Sequence, residues 1–252
     1  MVTLGVDLAA EPKGTALCEL RWSRDGATVA EIACGAADAT ILCWAARAAA
    51  VGVDAPFGWP LAFERGLAAW AGGRPWPGRW ERDRRERLRL RETDRWVAQR
   101  GKRPLSVSTD KIAVCAMRAA TLLTAQAADG PALSRVEGPW FEVYPGGALH
   151  EWGLGAAASG YKRDPAVRER LLALLVVHSR GRLALAAKQR ERCVRSDHAL
   201  DALLCALVAR AAAIGRTFPP PPSLDAETVA REGWIHLPDA PLDALADAGG
   251  AA

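Results

Sequence analysis

Three carboxylates sit where an α/β core expects apolar side chains. Asp7 ends the run Val2-Thr3-Leu4-Gly5-Val6, Asp54 ends Ala49-Ala50-Val51-Gly52-Val53, and Asp201 interrupts Ala199-Leu200 and Ala202-Leu203-Leu204-Cys205-Ala206-Leu207. An ionised carboxylate in apolar surroundings costs several kcal/mol, or shifts its pKa upward, unless a cation, a hydrogen-bond donor or a metal stands beside it. The fold must therefore supply such a partner to each acid, and one metal site fed from three distant segments satisfies all of them.

The apolar pattern around these acids predicts an α/β chain. Residues 2–8 and 14–22 read as strands, and 27–34 as a third strand joined through the turn signal Asp25-Gly26. An Ala-rich helix over 38–50 follows, then a strand over 51–55 that Pro56 stops. Strand, helix, strand implies a right-handed crossover with the new strand parallel to an earlier one. Residues 60–128 read as a mainly helical insertion or cap, broken by the Gly/Pro/Trp segment 71–78. Trp140-Phe141-Glu142-Val143-Tyr144 returns to strand, with Glu142 near its carboxyl end, and a Leu-rich helix covers 165–177. Ser196 is an N-cap for a helix over 197–213 that is apolar nearly all round and hence buried. Asp197 and Asp201, four apart, share one face of it. Residues 231–238 offer a last short strand, 219–222 a linker, and 239–252 a flexible tail. A chain of 252 residues with one such sequence of elements is expected to form a single domain over 1–238.

Composition narrows the class by exclusion. A formal net charge of +4 is too mild to indicate nucleic acid alone. Six cysteines with no C-x-x-C pair, mostly in apolar stretches, suit buried thiols of a reducing compartment. There is no signal-peptide pattern, and no uncharged apolar run near the ~20 residues of a membrane span, so a soluble cytoplasmic protein is expected. The oligomeric state is not fixed by these features. Histidines at 150, 178, 198 and 236 show no zinc spacing.

Charge is unevenly spread. The segment 80–96 alternates acid and base with arginine in excess; it reads either as a solvated helix with Glu81/Arg85 and Asp83/Arg87 pairs or as a phosphate-contacting face. Tryptophans 59, 70, 76, 80 and 96 crowd the same insertion, suiting a cap-to-core interface or base stacking on single-stranded nucleic acid.

The order β-β-β-α-β, helices, β, closing acidic helix is that of a ribonuclease H-like mixed five-stranded sheet flanked by helices, here with a helical insertion. Gly5-Val6-Asp7-Leu8-Ala9, Val53-Asp54-Ala55-Pro56, Arg91-Glu92-Thr93-Asp94, Ala116-Met117-Arg118, Glu142-Val143-Tyr144-Pro145, Tyr161-Lys162 and Asp197-His198-Ala199-Leu200-Asp201-Ala202 follow one another along residues 2 to 237. In this order they resemble domain-of-unknown-function family 429, described as predicted ribonuclease H-like nucleases. The resemblance implies that Asp7, Asp54 and Asp197 or Asp201 hold divalent metals, as acids of the first strand, fourth strand and closing helix do in that superfamily. It also implies substrate-side roles for Arg91, Asp94, Thr109, Arg118 and Lys162.

The chemistry agrees with that implication. Two-metal phosphodiester hydrolysis needs converging carboxylates, and hard oxygen ligands select Mg²⁺ or Mn²⁺. Asp7, Asp54 and Asp201 are expected as primary ligands, with Asp197 and Glu142 completing the catalytic set and nucleic acid, DNA or RNA, as partner. Plainer uses compete: an arginine pair for Asp7, an Asx turn at Asp54, helix-dipole complementation at Asp197, and a Glu142 side chain turned away. Two other classes share these elements. A phosphotransferase or ATPase of the actin/sugar-kinase superfamily wants a D-x-G-[ST]-like turn where Asp7 is followed by Leu8-Ala9-Ala10, and a non-catalytic nucleic-acid-binding module would keep the acids for structure.

Overall fold

The computed structural model describes residues 1–78, 81–128 and 130–247. β1 (Val2–Asp7), β2 (Ala16–Trp22) and β3 (Ala27–Cys34) form an antiparallel opening. The β2–β3 turn depends on Gly26, whose φ of 141° suits glycine and whose missing side chain admits the carbonyl of Arg182. Helix α1 (Asp38–Ala45) leads to β4 (Ala50–Asp54), which pairs parallel to β1. Four helices follow: α2 (Leu61–Ala71), α3 (Arg82–Arg89), α4 (Glu92–Gln99) and α5 (Ala113–Ala127). Then come β5 (Trp140–Val143), α6 (Pro145–Glu151), α7 (Pro165–His178), β6 (Leu183–Ala184), α8 (Ala187–Arg195), α9 (Asp197–Ala213), α10 (Ala226–Glu232), β7 (Ile235–His236) and α11 (Ala244–Asp247).

The strands make one sheet in the order β6-β3-β2-β1-β4-β5-β7, in which β2 alone runs against the rest. This corrects the expected five strands to seven. The additions are edge strands of two residues each, too short to carry an alternating pattern; β7 lies within the expected 231–238 segment, whereas β6 had no signal. Helices α6, α8, α10 and α11 were also missed; α11 corrects the expected flexible tail over 239–252 as far as Asp247, because Leu242 and Leu245 are buried in the core and Arg210 Nε donates to the Leu245 carbonyl at 3.1 Å. Among the described residues no helix is long and apolar enough to cross a membrane.

Both faces of the sheet are covered. One face packs on α9, α7 and α6 through Cys18, Leu20, Leu171, Leu175, Leu203 and Leu207. The other, with Leu4, Val6, Val51 and Val53, packs on α1 and α5 through Ile41, Trp44, Ala119 and Leu122. Thus α5, at the end of the expected insertion, belongs to the core layer, and Val97 of α4 packs on Ile235 and Leu237. Helix α9 is buried throughout residues 199–211 and begins at Ser196, whose hydroxyl accepts from the Ala199 N–H. It lies very close to the sheet because Gly5 and Gly52 are register neighbours under it: a Cβ at Gly5 would strike the Ala202 carbonyl, and one at Gly52 the Cys205 carbonyl. Thr3, on the same face, donates to the Ala206 carbonyl at 3.0 Å.

Candidate metal centre

Alternation along β1 and β4 fixes where the acids point. Asp7 and Asp54 are register partners and lie two residues beyond Gly5 and Gly52, so both side chains leave the sheet on the α9 face. Asp201, just before the turn of α9 that rests on Gly5, projects between them. Ligand oxygens of Asp7, Asp54 and Asp201 all lie within 4.8 Å of one another. Asp7 and Asp201 are buried and Asp54 half-buried.

Asp7 and Asp201 each have a polar partner, and among the described residues no arginine pairs with any of the trio. The Tyr161 hydroxyl donates to Asp201 Oδ1 at 2.7 Å, and the Lys162 ammonium contacts Asp201 Oδ2. Lys162 also lies 4.0 Å from Asp197, so it bridges both acids on that face of α9. His198 Nδ1 sits 2.6 Å from Asp7 Oδ2. Burial raises Asp54 well above the usual carboxylate range, and repulsion from Asp7 and Asp201 adds to it. Burial also pushes Asp201 up to about 6; Lys162 opposes the shift and Asp7 reinforces it. The hydrogen bond to Asp7 raises His198. Such a cluster stores repulsion that a divalent cation relieves, and three carboxylates form a hard donor set suited to Mg²⁺ or Mn²⁺.

Glu142 faces the other way. Its register partner is Val53, not Asp54, so the alternation of β5 sends it to the opposite face. There Arg91 Nη2 reaches Glu142 Oε1 at 2.6 Å and Nη1 reaches Oε2 at 2.7 Å, while the Phe57 N–H donates to Oε2 at 2.8 Å. Asp94 takes Arg91 Nη2 at 2.9 Å, Nε at 3.1 Å and the Arg91 backbone N–H at 2.9 Å, closing a capping box at the start of α4. The Glu232 carbonyl accepts from Arg91 Nη1 at 3.1 Å, so all five guanidinium donors are used. Arg91 and Asp94, expected beside substrate, are each 1% exposed and belong to this buried knot.

The remaining expected residues are dispersed. Asp197, half-buried, stands outside the trio, 4.0 Å from the Lys162 ammonium. Arg118 Nε binds Asp38 at 2.8 Å, and its Nη1 binds the Ala9 carbonyl at 2.8 Å and Thr15 Oγ1 at 2.7 Å, which pins the loop after β1. Thr109 is exposed and donates to Ser106 Oγ at 2.8 Å.

In the arginine-rich segment Asp83 pairs with Arg87 at 2.9 Å as expected, but Glu81 and Arg85 do not pair: Glu81 is the extended N-cap residue of α3, off the helical spacing. Arg79 and Trp80 lie outside the described residues. Trp76 packs on Gly66 and Trp96 on Trp234, whereas Trp70 is 66% exposed. Of the cysteines, 18, 193 and 205 are buried, but Cys34 and Cys43 are exposed at the end of β3 and on α1. A cleft of ≈ 400 Å³ lined by Pro139, Phe141 and His236 opens at the opposite, amino end of β4 and β5 and contains none of the trio.

Tyr161 and His198 had no role assigned from sequence. His198 is three residues before Asp201 and shares its helix face, a signal that was available; the approach of Tyr161 depends on a loop whose path has no pattern.

Residues 5–224 match the family described as Protein of unknown function (DUF429), and the chain belongs to that family. No curated protein and no solved structure matches it.

Proposed function

We propose that this DUF429 protein is a divalent-metal-dependent phosphodiesterase of ribonuclease H-like architecture, acting on nucleic acid. The observation that carries the reading is the convergence of Asp7, Asp54 and Asp201 within 4.8 Å at the carboxyl end of two adjacent parallel strands, where open α/β sheets place their sites. Asp7, Asp54 and Asp201 would hold Mg²⁺ or Mn²⁺, which supplies an activated water and neutralises charge on the phosphate. The protein's own groups set up that site. Tyr161 fixes the Asp201 carboxylate through one oxygen, and His198 orients Asp7. Asp197 stands on the same helix face, half-buried, where it can accept a hydrogen bond from water.

The arginine-rich helix supports a polyanionic substrate. Helix α3 leads into Arg91, whose guanidinium grips Glu142 near the carboxyl end of β5, on the face of the sheet opposite the trio. Among the described residues Arg82, Arg84 and Arg85 make no ion pair, and Arg82 and Arg85 are exposed, which leaves their charge for phosphate, while Arg84 has its Nε buried.

The test is a screen of labelled single-stranded, duplex and branched DNA and RNA with Mg²⁺ or Mn²⁺. Cleavage is expected on at least one substrate and is expected to be lost with chelator and in Asp54→Asn. No metal-dependent cleavage of any of them, or undiminished cleavage by Asp54→Asn, overturns the reading.

A further inference from the structure

Lys162 follows a fixed residue but is itself loosely held. Tyr161 is 8% exposed; its hydroxyl is bound to Asp201 and its carbonyl accepts from Arg168 Nη1 at 2.7 Å. The Lys162 side chain is 51% exposed, and Asp201 and Asp197 are its ion-pair partners. Its ammonium also feels the charge of Asp7 and Asp54. Both oxygens of Asp201 are thereby engaged, Oδ1 by the buried tyrosine and Oδ2 by the half-exposed lysine.

A divalent ion shared by Asp7, Asp54 and Asp201 needs an Asp201 oxygen at ~2.0–2.6 Å, inside the space an ammonium requires, and the two cations repel. The tyrosine cannot yield its oxygen without leaving the core, whereas the lysine can rotate into water. Resting on the metal reading above, we propose that Lys162 is a displaceable internal counter-ion: its ammonium fills the cation position on Asp201 and is expelled to solvent when a divalent ion enters.

The arrangement makes the site selective by charge. A tethered ammonium acts at high effective concentration. A monovalent ion offers the trio no more charge than the lysine does, so Na⁺ or K⁺ does not displace it, and a doubly charged ion does. Lys162 thus sets the threshold for occupancy.

Two measurements on the intact protein test this. Calorimetric Mn²⁺ titration should show Lys162→Met binding at least about tenfold more tightly than wild type, with Lys162→Arg, which keeps the charge, near wild type. Amine acetylation of wild type, read by mass spectrometry, should label Lys162 several-fold faster with saturating Mg²⁺, while Lys13 and Lys188 stay unchanged as internal standards. Equal Mn²⁺ affinity in wild type and Lys162→Met overturns the inference. Tighter binding without faster labelling also overturns it, because the ammonium then only repels the metal from where it stands. If neither wild type nor Lys162→Met binds Mn²⁺, the metal reading itself fails and this inference falls with it.

Discussion

The two faces of the sheet bury acids near the same edge and treat them in opposite ways. On one face Glu142 and Asp94 share Arg91, whose five donors all have acceptors, and these three side chains belong to residues at most 2% exposed. On the other face Asp7, Asp54 and Asp201 converge, and among the described residues their nearest basic partners are a half-exposed lysine and a half-exposed histidine. Burial raises Glu142, but the bidentate Arg91 holds it back; at Asp54 repulsion from its neighbours adds to burial. A carboxylate locked by a planar fork is committed to holding the fold together, and a carboxylate facing other carboxylates is available for a cation from outside.

The largest effect should come from breaking the committed side. Arg91→Met strands Glu142 and Asp94 in the core, and urea denaturation should show a loss of ~3–5 kcal/mol. A loss under about 1 kcal/mol would mean that the knot relaxes into water and that the contrast between the faces is false.

The opposite sign is expected on the other side. Asp201 has its folded pKa raised to about 6 from an ordinary 3.8. Between those values the native state binds more protons than the unfolded one, so its contribution to stability is full below pH 3.8 and is lost as pH rises to about 6. Above that window Asp201→Asn, without metal, should be more stable than wild type by on the order of 3 kcal/mol. The two should converge below about pH 4. A less stable Asp201→Asn across the whole range would make Asp201 a structural acid like Glu142.

Gly5→Ala tests what places Asp201. A Cβ there meets the Ala202 carbonyl and the Ala206 N–H, so α9 must lift; a cost of ~1–3 kcal/mol is typical of such overpacking. Mn²⁺ affinity should fall with it. Unchanged affinity would show that the close approach of α9 is irrelevant to the site.

The smallest stability effect belongs to α3. Replacing Arg82, Arg84 and Arg85 together by Gln should alter stability by no more than ~0.5 kcal/mol. The salt dependence of nucleic-acid binding should nevertheless flatten, by up to ~0.9 in slope for each phosphate that is no longer neutralised. Equal slopes would return the helix to a solvated face.

The acid trio was legible because Asp7, Asp54 and Asp201 each break an apolar run, and period-two alternation then dictates the face of the two strand acids. The same alternation turns Glu142 away. That could be read only once the β4–β5 register was known, since a strand end in sequence does not say which residue of its neighbour it meets. Arg91 and Asp94 sit in a charged, helical stretch that reads as surface, and only the return of β5 and α10 buries them. The strand β6 had no signal because a two-residue edge is made by its neighbours, not by its own pattern, whereas β7 falls inside the short strand expected over 231–238.

The central claim is that Asp7, Asp54 and Asp201 form one divalent cation site. Crystals grown with Mn²⁺ and measured at the manganese absorption edge test it most directly. An anomalous peak bonded to oxygens of all three acids, with the Lys162 ammonium withdrawn from Asp201, is the expected result. Saturating Mn²⁺ with no peak among these carboxylates, and Lys162 still seated on Asp201, would contradict it.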